Sequence, residues 1–135
     1  MTNKGKYYES QFEEATIGLL HESHWQYTFG DDIHRKYTDP LIEEDLRSFL
    51  IKQYEEKNLT AAEIDGIVAN LRNTGGQNDY HALCHTFLLY RDGYDFAYSD
   101  GRDNPFRLEY IDFEHPDHNI FRCVNQFVME QGREN

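Results

Sequence analysis

An α+β fold, with N-terminal helices followed by an antiparallel strand meander, is predicted by three observations on these 135 residues. Up to about Tyr90 the apolar positions recur at three- and four-residue intervals, the period of an amphipathic helix. From Tyr94 onward they alternate, the period of a half-buried strand. Aromatic side chains make up 15% of the chain, enough to build a core although 28% of residues are charged. Helices first and strands last is the order of an α+β domain, and the length fits one domain over 1–135.

The elements follow in order. Residues 7–24 carry Tyr8, Phe12, Ala15, Ile17, Leu19 and Leu20 among carboxylates, an amphipathic helix. Gln26, Tyr27, Thr28 and Phe29 read as a short strand closed by Gly30-Asp31-Asp32. Asp39 and Pro40 read as the N-cap and first residue of a helix through Leu41, Ile42, Leu46, Phe49, Leu50 and Tyr54. Thr60-Ala61-Ala62-Glu63 is a capping box that opens a third helix through Ile64, Ile67, Val68 and Leu71. Gly75-Gly76 breaks the chain before a fourth helix over 79–90, whose apolar face is Tyr80, Leu83, Phe87 and Leu88. Tyr94, Phe96 and Tyr98 alternate with Asp95 and Ala97. Residues 106–113 and 121–129 are predicted as adjacent antiparallel strands, because a short polar turn with Pro116 and Asn119 joins them. The second of these has no purely polar face, so cover is expected on both sides, with Phe12, Ile17 and Leu20 of the first helix over one.

The net charge of −12 is informative about partners. Non-specific DNA affinity comes from Lys and Arg releasing counterions, so this acidic surface predicts weak or no DNA binding by these residues alone. No apolar run reaches the roughly 18 residues of a membrane span, and the start at Met1 lacks the apolar stretch of a signal peptide. Both point to a cytoplasmic protein that does not engage membranes. Cys84 and Cys123, far apart and each beside an apolar residue (Leu83 and Val124), read as buried free thiols.

One stretch carries a resemblance. Leu108-Glu109-Tyr110-Ile111-Asp112-Phe113, then Pro116, then Phe121-Arg122-Cys123-Val124-Asn125-Gln126-Phe127, is similar to the run "I-D-F…P…N-x-F…V-N-Q-F" of the R (restriction and translocation) subunit of type I restriction–modification enzymes. Upstream, Glu9-Ser10-Gln11-Phe12-Glu13, Ile17-Gly18-Leu19-Leu20 and Trp25-Gln26-Tyr27 look like that family's opening, and residues 40–71 resemble its helical insertion. The resemblance implies the lead-in to an α/β restriction-endonuclease-like sheet of the PD-(D/E)XK type. It also implies a parent subunit that translocates DNA with ATP and cleaves it with Mg²⁺, beside methyltransferase and specificity subunits. The catalytic strands are expected just after this run, and the sequence stops eight residues beyond Phe127.

The nuclease chemistry needs carboxylates that converge on a divalent metal, with a cation nearby. Pro116-Asp117 supplies the letters of the motif, but Lys57 is the last lysine, so nothing after Asp117 completes it. Glu55-Glu56-Lys57 precedes it, at a helix end. Both read as structural, and the chain is expected to be catalytically inactive alone. From the resemblance, an acidic residue of the first helix is a candidate accessory metal ligand. Glu9 and Glu13 are four apart on one helical face, and Glu13, between Phe12 and Ile17, is preferred.

His81 and His85 flank Cys84 at one-turn spacing, and His21 and His24 are three apart, but neither group has the three or four ligands of a zinc site, and no metal site is assigned. Gly75-Gly76 lacks the Lys-Ser or Lys-Thr of a phosphate loop. Tyr94, Tyr98 and Tyr110, like Tyr7 and Tyr8, have no neighbouring basic stripe and read as packing residues rather than base-stacking platforms. An alternative reading is a stand-alone, non-catalytic protein-interaction module with an acidic, aromatic-rich surface. The reading frame beyond Asn135 discriminates the two.

Overall fold

A computed structural model describes residues 4–33, 35, 41–74 and 79–127, with side chains described for 9–33, 35, 41–72 and 80–127. The fold is mixed α+β, with N-terminal helices followed by small sheets, as the periodicities predict. The chain divides into two compact units, Met1–Thr38 with Ile120–Asn135, and Asp39–Asn119.

In the first unit, helix α1 (Lys4–Glu22) leads through His24, in the left-handed region at φ 68°, to strand β1 (Gln26–Phe29). Strand β4 (Arg122–Asn125) pairs with β1 in parallel, Gln26 opposite Arg122 and Phe29 opposite Asn125. A short 3-10 turn, Gly30–Asp32, follows β1. A Cβ on Gly30 would lie 2.2 Å from the carbonyl oxygen of Gln126, so only glycine lets the two chain segments approach there.

The second unit is built on helices α2 (Glu43–Gln53), α3 (Ala61–Thr74) and α4 (Asp79–Asp92), with strands β2 (Tyr94–Phe96) and β3 (Phe106–Leu108) paired antiparallel. The capping box forms as read: Glu63 N–H donates to Thr60 Oγ1 at 3.1 Å, and Thr60 N–H donates to Glu63 Oε1 at 2.9 Å. Ile64, Ile67, Val68 and Leu71 of α3 are buried with Phe49 and Leu50 of α2, and full burial of each such side chain stabilises by about 1.5–3 kcal/mol. Ion pairs Arg47–Asp65 and Arg72–Glu43 tie the rims of the two helices. The alternation after Gly93 also holds, with Phe96 and Tyr98 buried and Asp95 and Ala97 exposed. Tyr98 donates its hydroxyl to the carbonyl of Lys57, and Tyr110 donates to that of Ile67, so both tyrosines are packing residues with satisfied polar tips.

Several expectations are corrected. Residues 106–113 and 121–129 are not adjacent strands: β3 pairs with β2, and β4 pairs with β1. The first segment stops being a strand at Leu108 because the Tyr54 hydroxyl takes both backbone groups of Glu109, accepting from its N–H at 2.7 Å and donating to its carbonyl at 3.2 Å. Beyond it, the Asp112 carboxylate accepts the backbone N–H groups of Glu114 and His115 and folds the chain into a turn. Of the second segment, 128 and 129 lie outside the described residues.

The second correction concerns α4. Its expected apolar face is in water, with Tyr80 72% and Leu83 69% exposed and Phe87 and Leu88 also exposed, whereas Leu89 is buried. The packed side runs through the half-buried Ala82 and Thr86 to the buried Leu89 and Gly93, so one leucine flanked by smaller residues faces inward. Gly93, at φ 69°, closes α4 by donating to Leu89, and a Cβ there would lie 1.9 Å from the Leu108 carbonyl oxygen. The third concerns Phe12, expected to cover β4 but 71% exposed. Cys84 and Cys123 are free thiols, half-buried rather than buried. Helix α2 starts at Glu43 with Ile42 as its N-cap, and the expected start at Asp39-Pro40 and the Gly75-Gly76 break lie outside the described residues.

Candidate functional site

The residue preferred from sequence, Glu13, meets the strand that carries the most specific part of the resemblance. Glu13 is half-buried on α1, and its Oε1 accepts a hydrogen bond of 2.6 Å from Asn125 Nδ2 at the end of β4. Asn125 Oδ1 in turn accepts from the Tyr27 hydroxyl at 2.8 Å. The amide is thereby fixed at both ends, by a carboxylate on one element and a phenol on another. Glu9, one turn earlier on α1, is exposed.

The local sequence explains the placement. Parallel pairing aligns Tyr27 with Cys123, which carries the Tyr27 ring along the sheet to Asn125. Arg122 braces the same strand pair across β1, donating to Gln26 Oε1 at 2.9 Å and to Thr28 Oγ1. Before the strands, Gln26 N–H donates to the Phe121 carbonyl at 2.7 Å, and the Trp25 and Phe121 rings pack with centroids 5.0 Å apart. After Asn125 the chain turns through Gln126 at φ 53°, and the Arg35 guanidinium lies 3.6 Å from the Phe127 ring centroid. The arrangement orients one glutamate at the end of a parallel strand pair.

The resident metal that the resemblance implies does not fit these residues alone. Mg²⁺ prefers near-octahedral oxygen ligation, from one or two carboxylates plus waters and phosphate oxygens. Glu13 is one carboxylate already engaged by Asn125, the Asn125 oxygen is engaged by Tyr27, and among the described residues Glu13 belongs to no three-ligand cluster. No catalytic step is derived through it.

The other residues weighed from sequence lie mostly at the surface. Asp117 is exposed in the 3-10 turn Pro116–His118, and Glu55–Lys57 is an exposed 3-10 turn after α2. His81 and His85 are exposed beside the half-buried Cys84, and His21 and His24 are exposed. Sequence reasoning missed the Tyr27–Asn125 pair as partners of Glu13. The available signal was an amide following Val124 on a strand with no purely polar face, since an amide withdrawn from water requires partners. It also passed over Asp112, whose buried carboxyl is held down to about 2, first by the His115 backbone N–H and then by the Gln53 amide.

The described arginines are largely committed. Arg47, Arg72, Arg91, Arg102 and Arg107 each pair with a carboxylate, so they offer little free positive charge to a phosphate backbone. No described helix is long and apolar enough to cross a membrane. Against known proteins, the family model described as type I restriction enzyme R protein N terminus matches residues 6–135. No curated protein and no solved structure matches the chain.

Proposed function

The chain belongs to the family of type I restriction enzyme R protein N termini, and we propose from this that it forms the N-terminal part of the nuclease lobe of an R subunit. In this reading the complete subunit translocates DNA with ATP and cleaves it with Mg²⁺, in the cytoplasm, beside methyltransferase and specificity subunits. These 135 residues supply scaffold and one accessory carboxylate, Glu13, while Glu9 is the weaker candidate. The observation that carries the proposal is the parallel pairing of β1 and β4, with Glu13 bonded to the last residue of β4. Parallel strands are normally covered on both faces and sit within larger sheets. Here all four β4 residues are only half-buried, and Tyr27, Phe29 and Phe121 are exposed, which supports further strands and helices joining at this place.

The test has two arms. The 135-residue chain incubated with plasmid, Mg²⁺ and ATP is expected neither to nick DNA nor to hydrolyse ATP, and to bind DNA more weakly than about 10⁻⁴ M at physiological salt. In the complete subunit, Glu13→Gln is expected to lower cleavage at least about tenfold while ATP hydrolysis persists, the loss of a group that acts only in the cleavage step. Unchanged cleavage would remove the accessory role from Glu13. Nicking by the 135 residues, copurifying with them, would overturn the scaffold reading. A second reading, a non-catalytic interaction module, is favoured by one observation: Tyr80, Leu83 and Phe87 form an exposed stripe on α4.

A further inference from the structure

After β3 the chain folds around one carboxylate. Asp112 is buried, and its Oδ1 accepts the backbone N–H groups of Glu114 at 3.1 Å and His115 at 2.8 Å. Its Oδ2 accepts from Gln53 Nε2 at 2.8 Å and meets His118 Nδ1 at 3.0 Å, with His115 Nδ1 at 3.6 Å. Asn119 locks the turn by accepting the Asp112 N–H and donating to the Asp112 carbonyl. The three side chains lie three residues apart in sequence. Their ligand atoms all fall within 4.8 Å of one another, the only such three-ligand group among the described residues.

We propose that Asp112, His115 and His118 bind a divalent transition ion of the Zn²⁺ type, with water as the fourth ligand. Two imidazoles and a carboxylate are a borderline N/O donor set, which selects Zn²⁺ or Co²⁺ over Mg²⁺. Bonds of about 2.0–2.1 Å at the tetrahedral angle put neighbouring ligand atoms about 3.3 Å apart. The 3.0 and 3.6 Å separations from Oδ2 bracket that edge. The carboxylate is already fixed, because backbone N–H groups hold Oδ1 and Gln53 donates to Oδ2, as outer hydrogen bonds do in metal sites.

The imidazoles adjust instead. Their rings are stacked, with centroids 4.9 Å apart and planes 16° from parallel, so one ring turns about χ2 to bring both lone pairs onto one point. Both side chains have room to do so, at 60% and 47% exposure. In the metal-free turn the proton on His118 Nδ1 lies toward Oδ2. On binding, the ion takes its place, and that proton leaves to solvent or is replaced by one on Nε2, so that a neutral imidazole binds.

The test is titration of the 135-residue chain with Zn²⁺ by calorimetry and with Co²⁺ by visible absorption, at neutral pH. One site is expected, with the intense bands of tetrahedral Co²⁺. The double variant His115→Ala/His118→Ala should bind at least about 100-fold more weakly, whereas His81→Ala/His85→Ala should bind as the wild type does. A measurement on the unsubstituted protein is independent of variant folding. Zn²⁺ should protect His115 and His118 from acylation by diethyl pyrocarbonate, read by mass spectrometry, and leave His21, His24, His81 and His85 reactive. Absence of binding, retention of it in the His115/His118 variant, or protection of the other histidines instead, overturns the assignment.

Discussion

Among the described residues every buried apolar side chain, from Phe49 to Tyr110, belongs to the unit Asp39–Asn119. In the unit formed by Met1–Thr38 and Ile120–Asn135, Gly30 is the described residue that is buried, and Phe12, Leu19, Tyr27, Phe29 and Phe121 are exposed. The two units are therefore held by different means. The unit Asp39–Asn119 has a hydrophobic core between α2, α3, α4 and the β2–β3 hairpin. The other is joined by directional contacts, the parallel ladder, the Glu13–Asn125–Tyr27 chain and the Arg122 brace. Polar contacts of this kind each contribute only about 0.5–1.5 kcal/mol net, so they specify an arrangement more than they stabilise it. A module with orientation but little core is suited to being completed by other structure.

The largest effect is expected from a cut into the core. Leu50 is fully buried, and Leu50→Ala should cost about 2–5 kcal/mol, read as a fall in the urea midpoint with an unchanged slope. A loss under about 1 kcal/mol would mean that the helices α2 and α3 do not carry the stability assigned to them.

Next in expected effect is the Asp112 turn, within the same unit. Its carboxyl lies at about 2 in the folded chain against an ordinary value near 3.8, because backbone and Gln53 donors favour the anion. A depressed folded value stabilises the fold above the unfolded value, and that stability is lost as pH falls from about 4 toward about 2. Asp112→Asn should lower the urea midpoint at neutral pH by less than Leu50→Ala does, and the difference from wild type should shrink across that window. A difference that stays constant from neutral pH to pH 2 would detach the turn from the ionised carboxylate.

The core was far more legible than the pairing of strands. The α3 capping box, its Ile64, Ile67, Val68 and Leu71 stripe, and the Phe96/Tyr98 alternation are local patterns, and local periodicity reports which side faces inward. The partner of β4 is β1, nearly a hundred residues away, and no period within 121–127 encodes that. The short turn between 113 and 121 suggested a hairpin, but the Tyr54 hydroxyl and the Asp112 carboxylate had already taken the backbone groups such a hairpin would use. On α4 the large residues Tyr80, Leu83 and Phe87 drew attention from the small side that packs. The half-burial of Glu13 follows from its place one turn before the half-buried Ile17, although its neighbour Phe12 is exposed. Its partners were not legible, since both lie on strands whose pairing is non-local.

Thr60→Ala tests a smaller, local term. Loss of the hydroxyl leaves the Glu63 N–H without its cap and should cost about 1 kcal/mol, while Thr60→Ser should be close to neutral. Equal losses for both variants would place the effect in packing of the threonine methyl instead of the cap.

The smallest expected effect bears most directly on the difference between the units. Phe12 is 71% exposed on α1, so Phe12→Ala should change stability by no more than about 0.5 kcal/mol in the 135-residue chain, despite removing a whole aromatic ring. The same substitution in the complete R subunit is the informative comparison. If further structure packs on α1 and the β1–β4 ladder, the ring becomes buried there, and its removal should cost about 3–5 kcal/mol of local stability, read by hydrogen exchange of the β4 amides. A negligible cost in both contexts would mean that this face stays in water, and that the exposed aromatics of the unit serve some purpose other than receiving the rest of a nuclease sheet.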